Sequence, residues 1–387
     1  MASIVKRGNV YAIAVSVGKD DNGKYKYRWI SGFKTMKEAK QRQHEIESQQ
    51  DGGIFVPPGK LTIARYLESW LKDYAWPNLS PRTAEEYESM IHRHIAPSLG
   101  KILLTQLKPA DIQNYYADKL ATGRADGTGG LSPRSVRHHH VTLHGALQYA
   151  VKQGLIFRNP CDAVTPPHFQ KPEMHILDED GVHSILEAAK STEYYALFYL
   201  ALYTGMRRSE ILGLKWTDID LDLCELSVNR SLHHLHDGSL VFRQPKTARS
   251  RRRIALTPST ALVLREHKEK QTAERLLSGN TLSNDSLVFC QPDGKALLPD
   301  TITSAWIRLT RRLGMNIRLH DCRHTHASLM LKQGVHPAIV QQRLGHASIM
   351  TTIDTYSHIL PGLQEAAAKG FDEMVNRNSP EKIISNG

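Results

Sequence analysis

The apolar positions along this chain switch period from strand-like to helix-like within the first sixty or so residues. Tyr11, Ile13, Val15 and Val17 alternate with small or polar residues, the period-two pattern of a half-buried strand. Asp20-Asp21-Asn22-Gly23 is a turn string. The next strand, Lys24 to Ile30, sets Lys24, Lys26 and Arg28 on one face and Tyr25, Tyr27 and Trp29 on the other. Thr35 with Glu38 makes a capping box, and a polar helix runs from there to about Gln50. A basic strand face of this kind either enters a DNA major groove or lies solvated over an aromatic core, and the residues alone leave both open.

Gly52-Gly53 and Pro57-Pro58-Gly59 mark a linker, after which Leu61 to about Ile156 reads as helical. Two helix starts repeat one string, Leu79-Ser80-Pro81-Arg82-Thr83 and Leu131-Ser132-Pro133-Arg134-Ser135. Serine caps and proline takes the first helical position. Arg82 and Arg134 oppose the helix dipole, which a phosphate at the helix N-terminus would offset; ordinary capping with a solvated arginine explains them equally well. Ala121 to Gly130 is a glycine-rich loop. His138-His139-His140 point in different directions on a helix, so one metal cannot take all three, and a DNA-facing or solvated surface is expected.

Pro160, Pro166, Pro167 and Pro172 punctuate a second linker, and a further domain starts near Met174. Asp178 or a neighbour caps a helix through Ala189, and Tyr194 to Tyr203 is a buried helix that stops at Gly205. Val228, Leu240–Arg243 and Arg252–Leu256 read as short strands. Helices follow at about 258–277, 300–313, 321–333, 337–344 and 349–357. Leu363 to Val375 is a last amphipathic helix, and the residues after Asn376 read as a disordered tail.

At 387 residues the chain is expected to form two or three domains. A net charge of +11 favours a polyanionic partner, most simply nucleic acid, although a merely basic soluble protein carries the same number. The cysteines at 161, 224, 290 and 322 form no CxxC pair, which argues against a zinc knuckle or disulfide framework and fits a reducing cytosol. MASIVKRGNV has no apolar signal core, and the longest apolar stretch, near Tyr194–Tyr203, is too short to span a bilayer. A soluble, cytoplasmic protein is expected.

Candidate chemistry is scattered through the C-terminal half: Arg207, Lys246, His320, Arg323, His346 and Tyr356. Cations around a late tyrosine suit attack on a phosphodiester, with the phenol as nucleophile and the cations on the non-bridging oxygens. Guanidinium is a planar two-pronged donor for phosphate, and Arg207 follows the helix stop at Gly205. Glu210 is a local partner that orients Arg207 or a plain helix-face carboxylate. Six Lys/Arg and no acid lie between Arg243 and Arg253, as on a solvated or DNA-tracking surface. An ammonium there, at Lys246, can donate a proton as arginine effectively cannot. His320 and Arg323 at spacing three share a helix face.

The strings TGMRRSE, QPKTARSRRRI, LHDCRHTHA, LGHAS and DTYSH resemble, in order and spacing, the tyrosine recombinase (phage integrase) family. The resemblance covers about Thr204 to His358 closely and the rest more loosely. It implies a multidomain, mainly α chain with small β-sheets: an arm-type DNA-binding domain (1–55, sheet plus helix), a helical core-binding domain (60–160), a mixed α+β catalytic domain (173–376) and a tail (377–387). The motif's register selects Arg207 over Arg208. By the family pattern Arg207 and Arg323 clamp the phosphate, His320 moves a proton and His346 hydrogen-bonds the phosphate. Lys246 then protonates the leaving 5′ oxygen and Tyr356 attacks. Arg249, Arg251, Arg252 and Arg253 would hold the DNA backbone, and the N-terminal layout tips Lys24, Lys26 and Arg28 toward DNA. No metal and no cofactor are implied. The partners implied are double-stranded DNA at core and arm attachment sites, and sister subunits in a homo-tetramer; an excisionase is left open. A topoisomerase-like enzyme would relax supercoils without a site. A DNA-binding regulator would explain the charge but not all of these residues in order. A metal nuclease would need a carboxylate cluster.

Overall fold

The computed structural model describes residues 2–8, 10–19, 25–51, 60–170, 174–244, 251–346, 348–356 and 363–376. The chain divides into two units, Met1–Lys171 and Pro172–Gly387.

In the first unit, β1 (Ala2–Arg7), β2 (Val10–Lys19) and β3 (Tyr25–Phe33) form an antiparallel sheet with β2 central. Ile13 and Val15 are fully buried, with Ile4, Ile30 and Phe33 packed on them. The Thr35–Glu38 capping box forms with reciprocal side-chain to backbone bonds, and the helix Met36–Asp51 follows. The aromatic residues do not form a core. Tyr25, Tyr27 and Trp29 are 59%, 54% and 43% exposed, and Arg7 lies 4.0 Å over the Trp29 ring. The cause is β2, whose alternate residues on that side are Ala12 and Ala14, too small to support a packed aromatic layer, while Ile13 and Val15 build the core opposite. Lys24 lies outside the described residues, as do the side chains of Lys26 and Arg28; Arg28 is the register partner of Val15.

The helical part runs through Ile63–Trp70, Pro81–Met90, Pro109–Thr122 and Pro133–Lys152. Both repeated strings start helices as read: the Ser80 hydroxyl accepts from Thr83 N–H and the Ser132 hydroxyl from Ser135 N–H. Arg82 pairs with Glu86 and is exposed, as is Arg134. Single wide π-turns, Leu71–Ala75 and Ile91–Ile95, extend the first two helices, and each is followed at its second residue by a proline, Pro77 or Pro97, which has no N–H to place. Ile63, Leu67, Ile91, Ile95, Ile112 and Leu143 are fully buried between these helices. The histidine triplet departs from the surface expectation. Successive helical residues turn by about 100°, so His139 faces the core, 2.9 Å from the Tyr115 hydroxyl, while His140 meets Tyr116 at 2.8 Å.

In the second unit Asp178 caps Glu179–Ala189, accepting from Gly181 N–H. The buried helix Tyr195–Thr204 ends at Gly205 in the left-handed region (φ 63°). Three strands, β4 (Ile219–Asp220), β5 (Glu225–Val228) and β8 (Arg252–Ala255), form an antiparallel sheet with β5 central. Between β5 and β8, β6 (Ser231–His234) and β7 (Leu240–Arg243) pair as a hairpin. Helices Pro258–Leu277, Pro299–Arg312, Asp321–Lys332, Pro337–Leu344, Ile349–Tyr356 and Leu363–Asn376 follow. Phe198 and Trp306 meet edge to face at 5.0 Å in the main core. Residues 377–387, read as a tail, lie outside the described residues. Among the described residues no helix is long and apolar enough to cross a membrane.

Candidate active site

Two helix C-termini build the site. Tyr195–Thr204 and Pro337–Leu344 each end on a glycine with positive φ, Gly205 and Gly345, which turns the chain sharply and leaves backbone carbonyls without helical partners. Arg323, buried on the helix Asp321–Lys332, answers both: its guanidinium donates to Gly205 O at 2.9 Å and to Leu344 O at 2.7 Å. One cation thereby ties together the turns that carry Arg207 and His346. Gly205 has no substitute here, since a Cβ would lie 2.7 Å from Leu344 Cδ2 in addition to the unfavourable φ.

Arg207 and Arg208 separate cleanly. Arg207 reaches Glu210, donating from Nη1 to Oε1 at 2.7 Å and from its backbone N–H to Oε2 at 3.0 Å. Its side chain keeps 38% of its surface open. Arg208 is held elsewhere, on Pro299 O and the Thr303 hydroxyl. Glu210 is buried and also receives Arg252, at 3.2 Å on Oε1 and 2.9 Å on Oε2. Burial alone would raise the Glu210 pKa, but the Arg252 and Arg207 guanidinium groups outweigh it and hold it down at about 2.

Arg252 therefore departs from the expectation of a backbone-gripping surface cation. Its side chain is 3% exposed, and besides Glu210 it donates from Nε to Arg343 O at 2.6 Å. The alternation of β8 explains this: Arg252, Ile254 and Leu256 turn inward together, and Arg253 faces out. Arg251 is exposed, bonded to Gln244. Lys246 and Arg249 lie outside the described residues.

The imidazoles sit in the field of these cations. His346 bonds the Thr352 hydroxyl through Nδ1 at 2.9 Å, and its carbonyl accepts from Gln341. Desolvation, then Arg323 and Arg207, push its pKa down to about 4. His320 presents an exposed edge, yet partial desolvation with His324 and Arg323 beside it pushes it down to about 4 as well. Arg207 contributes to both depressions, so the four groups share one neighbourhood. Both imidazoles are neutral at pH 7 and able to accept a proton. His326 serves the scaffold instead. It bonds Leu202 O and receives Arg343 Nε at 2.9 Å, fixing the helix ends. Cys322 is buried and unpaired. Tyr356 is the last residue of the helix Ile349–Tyr356, and its side chain lies outside the described set. Among the described residues no group of three or more His, Cys, Asp or Glu is arranged to hold a metal.

Comparison with known proteins places this arrangement. Residues 175–362 match the phage integrase family, residues 62–120 its N-terminal SAM-like domain and residues 3–50 an arm DNA-binding domain. A XerC-like tyrosine recombinase of Caldanaerobacter subterraneus subsp. tengcongensis is 29% identical, over 96% of this chain and 98% of its own. The ICEBs1 integrase of Bacillus subtilis is 29% identical over 76% of this chain and 78% of its own. In fold, the Tn1549 transposon integrase in complex with a circular intermediate DNA superposes with a TM-score of 0.64 over 77% of this chain and 95% of that one, at 18% identity. A lambda integrase dimer bound to a core site gives 0.56 over 91% and 93%, at 20% identity. The class is that of enzymes that cut and rejoin DNA, the tyrosine recombinases. Within it the chain carries a phage integrase family domain at residues 175–362 and is a site-specific recombinase that integrates mobile elements.

Proposed function

We propose that this recombinase integrates or excises its element through a 3′-phosphotyrosine intermediate, with Arg207, Lys246, His320, Arg323, His346 and Tyr356 carrying the reaction. The Tyr356 oxygen bonds to the scissile phosphorus as its phenol proton passes to neutral His320. The bond from phosphorus to the 5′ oxygen breaks, and that oxygen takes a proton from Lys246. Arg207 and Arg323, with His346, hold the charge that builds on the non-bridging oxygens. The 5′ hydroxyl of a second duplex then attacks the same phosphorus, expels the tyrosine oxygen, and reseals the strand. The link stores the bond, so no energy source is consumed. The observation that carries the reading is that Arg323 ties the Gly205 and Leu344 carbonyls together while it and Arg207 both act on His320 and His346.

By this reading residues 1–55 bind arm sites, 60–160 bind core sites and 173–376 catalyse, in the cytoplasm. Lys24, Lys26, Arg28, Arg82, Arg134, Arg249, Arg251 and Arg253 hold DNA, Arg252 now being excluded by its burial. The exposed Tyr25, Tyr27 and Trp29, on the other face of their strand from Lys24, Lys26 and Arg28, offer an alternative contact, an aromatic stripe that suits bases and thymine methyls. The working unit is a homo-tetramer on DNA, with or without an excisionase; the exposed Phe371, Met374 and Val375 of the last helix are an apolar stripe that a neighbouring subunit would cover.

The test is a nicked duplex carrying the element's attachment core, incubated with the protein in EDTA and run on a denaturing gel. A slow covalent band, absent for Tyr356→Phe although that variant still binds the DNA, is expected. A Tyr356→Phe protein that still cuts sinks the assignment.

A further inference from the structure

Arg252 takes no part in the reaction above, and its surroundings are those of a built site. Each Glu210 oxygen takes two donors: Oε1 from Arg207 Nη1 and Arg252 Nη1, Oε2 from the Arg207 backbone and Arg252 Nη2. The remaining Arg252 nitrogen, Nε, fixes Arg343 O, one residue before the Leu344 carbonyl that holds Arg323. A Cβ on Gly345 would lie 3.0 Å from Arg252 Nη1, so the guanidinium also packs against the turn leading to His346. The strand that begins at Arg252 is paired to Val228 and starts six residues after Lys246.

Charge arithmetic gives this contact a purpose. Arg207 and Glu210 alone would form a neutral pair, and a cation already matched by a buried carboxylate has little field left for a phosphate. A second guanidinium on the same carboxylate leaves the trio at net +1, with only Arg207 open to solvent among the three. Lysine in place of Arg252 would keep the charge but not the fork that spans two carboxylate oxygens and a carbonyl.

We propose that Arg252 is a positioning residue for DNA cleavage: by saturating Glu210 it fixes the Arg207 guanidinium and leaves that charge free for the scissile phosphate. The inference rests on the phosphotyrosine reading above and on Arg207 as a phosphate clamp. It assigns to the basic run after Lys246 one member that touches no DNA and acts through the protein.

The experiment uses the full chain and the nicked attachment duplex at saturating concentration, with either a normal scissile phosphodiester or a methylphosphonate there. The methylphosphonate is neutral, so its attack depends less on a charge-bearing clamp. Arg252→Lys is expected to form the covalent complex about 100-fold more slowly on the phosphodiester, with DNA affinity changed by less than about 3-fold, within one clamp's share of many phosphate contacts. On the methylphosphonate the deficit should shrink to about one tenth of that, as it should for Arg207→Ala, since removing one charge-stabilising donor costs about 100-fold or more. Equal deficits on both substrates, or none on either, overturn the proposal. If Arg252→Lys melts well below the parent, Glu210→Gln with Arg252→Gln is read instead. It leaves no unpaired buried charge and returns the cluster to net +1, so it should cleave the phosphodiester about 10-fold faster than Arg252→Gln alone, and a pair no faster than that single variant overturns the proposal. Failure of the underlying reading looks different: the parent chain itself would then give no band that Tyr356→Phe lacks.

Discussion

Two buried polar clusters of this molecule follow opposite rules. Around Glu210 the protein buries full charges, with a carboxylate between two arginines, and Arg323 and Arg343 are tied to carbonyls close by. Between the helices Pro109–Thr122 and Pro133–Lys152 it buries neutral groups, Tyr115 on His139 and Tyr116 on His140, with His94 stacked 4.9 Å from His139. Histidine pKa values fall in both places, to about 4 for His346 and for His139. The largest cause is desolvation in each case, but the next differs: arginines for His346, other imidazoles for His139. A buried charge is costly to desolvate and is retained where an outward field is worth that cost. A buried neutral pair needs only its partner. In the proposed reaction the first cluster acts on a phosphate outside it, while the second holds helices together.

The largest expected effects come from the two arginines of the first cluster, and they differ from each other. Arg323→Ala removes the proposed phosphate clamp and strands the Gly205 and Leu344 carbonyls at helix ends. Covalent-complex formation should disappear, and stability should fall by about 2–6 kcal/mol, since each of the two unmet groups costs roughly 1–3 kcal/mol. Arg207→Ala should slow cleavage by about 100-fold to 1000-fold, yet leave the melting temperature nearly unchanged, because Arg252 still satisfies Glu210. Calorimetry alongside the gel assay separates the two; a thermal loss as large in Arg207→Ala as in Arg323→Ala would erase the distinction.

Next in size is the acid response of Glu210. Its folded pKa of about 2 lies below the ordinary 4.5. A depressed acid contributes stability that is fully present above the unfolded value and is lost as pH falls through the folded one. The second unit should therefore weaken as pH drops from about 4.5 toward 2, by up to about 3 kcal/mol. Glu210→Gln should flatten that slope below pH 4.5 while lowering stability at pH 7. Melting curves between pH 7 and 3 measure it, and an unchanged slope in Glu210→Gln would assign the acid response to other groups. His346 and His139 act earlier: their folded values lie below the ordinary 6.5, so the stability tied to their neutral forms is lost as pH falls from 6.5 toward 4. Cleavage at limiting DNA, which reports the free protein, should stay level from pH 8 to 6 as far as His320 and His346 are concerned, and a decline there following an imidazole titration near 6.5 would show them unperturbed.

Much of this was legible in the residues. Ser80-Pro81, Ser132-Pro133, Asp178 and Gly205 mark their helix ends because capping is local chemistry that four or five residues decide. The strings around Arg207 and His346 follow the helix stops at Gly205 and Gly345, so those two turns were legible; that Arg323 joins them is a contact across 118 and 21 positions. What stayed hidden depends on contacts distant in sequence. Arg252 sits among six basic residues and looks like surface until Glu210, 42 positions away, is seen beside it. A local signal did exist, since Arg252, Ile254 and Leu256 alternate with exposed positions as one inward face. His139 is one of three adjacent histidines, and only the turn of the helix selects it for burial. In the N-terminal sheet, polarity left an aromatic core as one of two open readings, whereas the alanines of β2 made the opposite face the packable one.

The smallest effect tests the neutral side of the comparison. Burial keeps the Tyr115 phenol protonated and His139 uncharged, so they share one hydrogen bond of 2.9 Å. Tyr115→Phe keeps the ring and its packing and leaves His139 Nδ1 without that partner. A loss of about 1 kcal/mol is expected, a shift of about 2–4 °C for a unit of this size. The rate of covalent-complex formation on saturating DNA should not change, because no charge has moved and His139 bears on no phosphate in the proposed reaction. A thermal shift without a rate change supports a purely structural pair. A rate that falls tenfold while the melting temperature holds would mean that the buried imidazoles of the helical domain are coupled to the cation cluster after all, and the two rules would collapse into one.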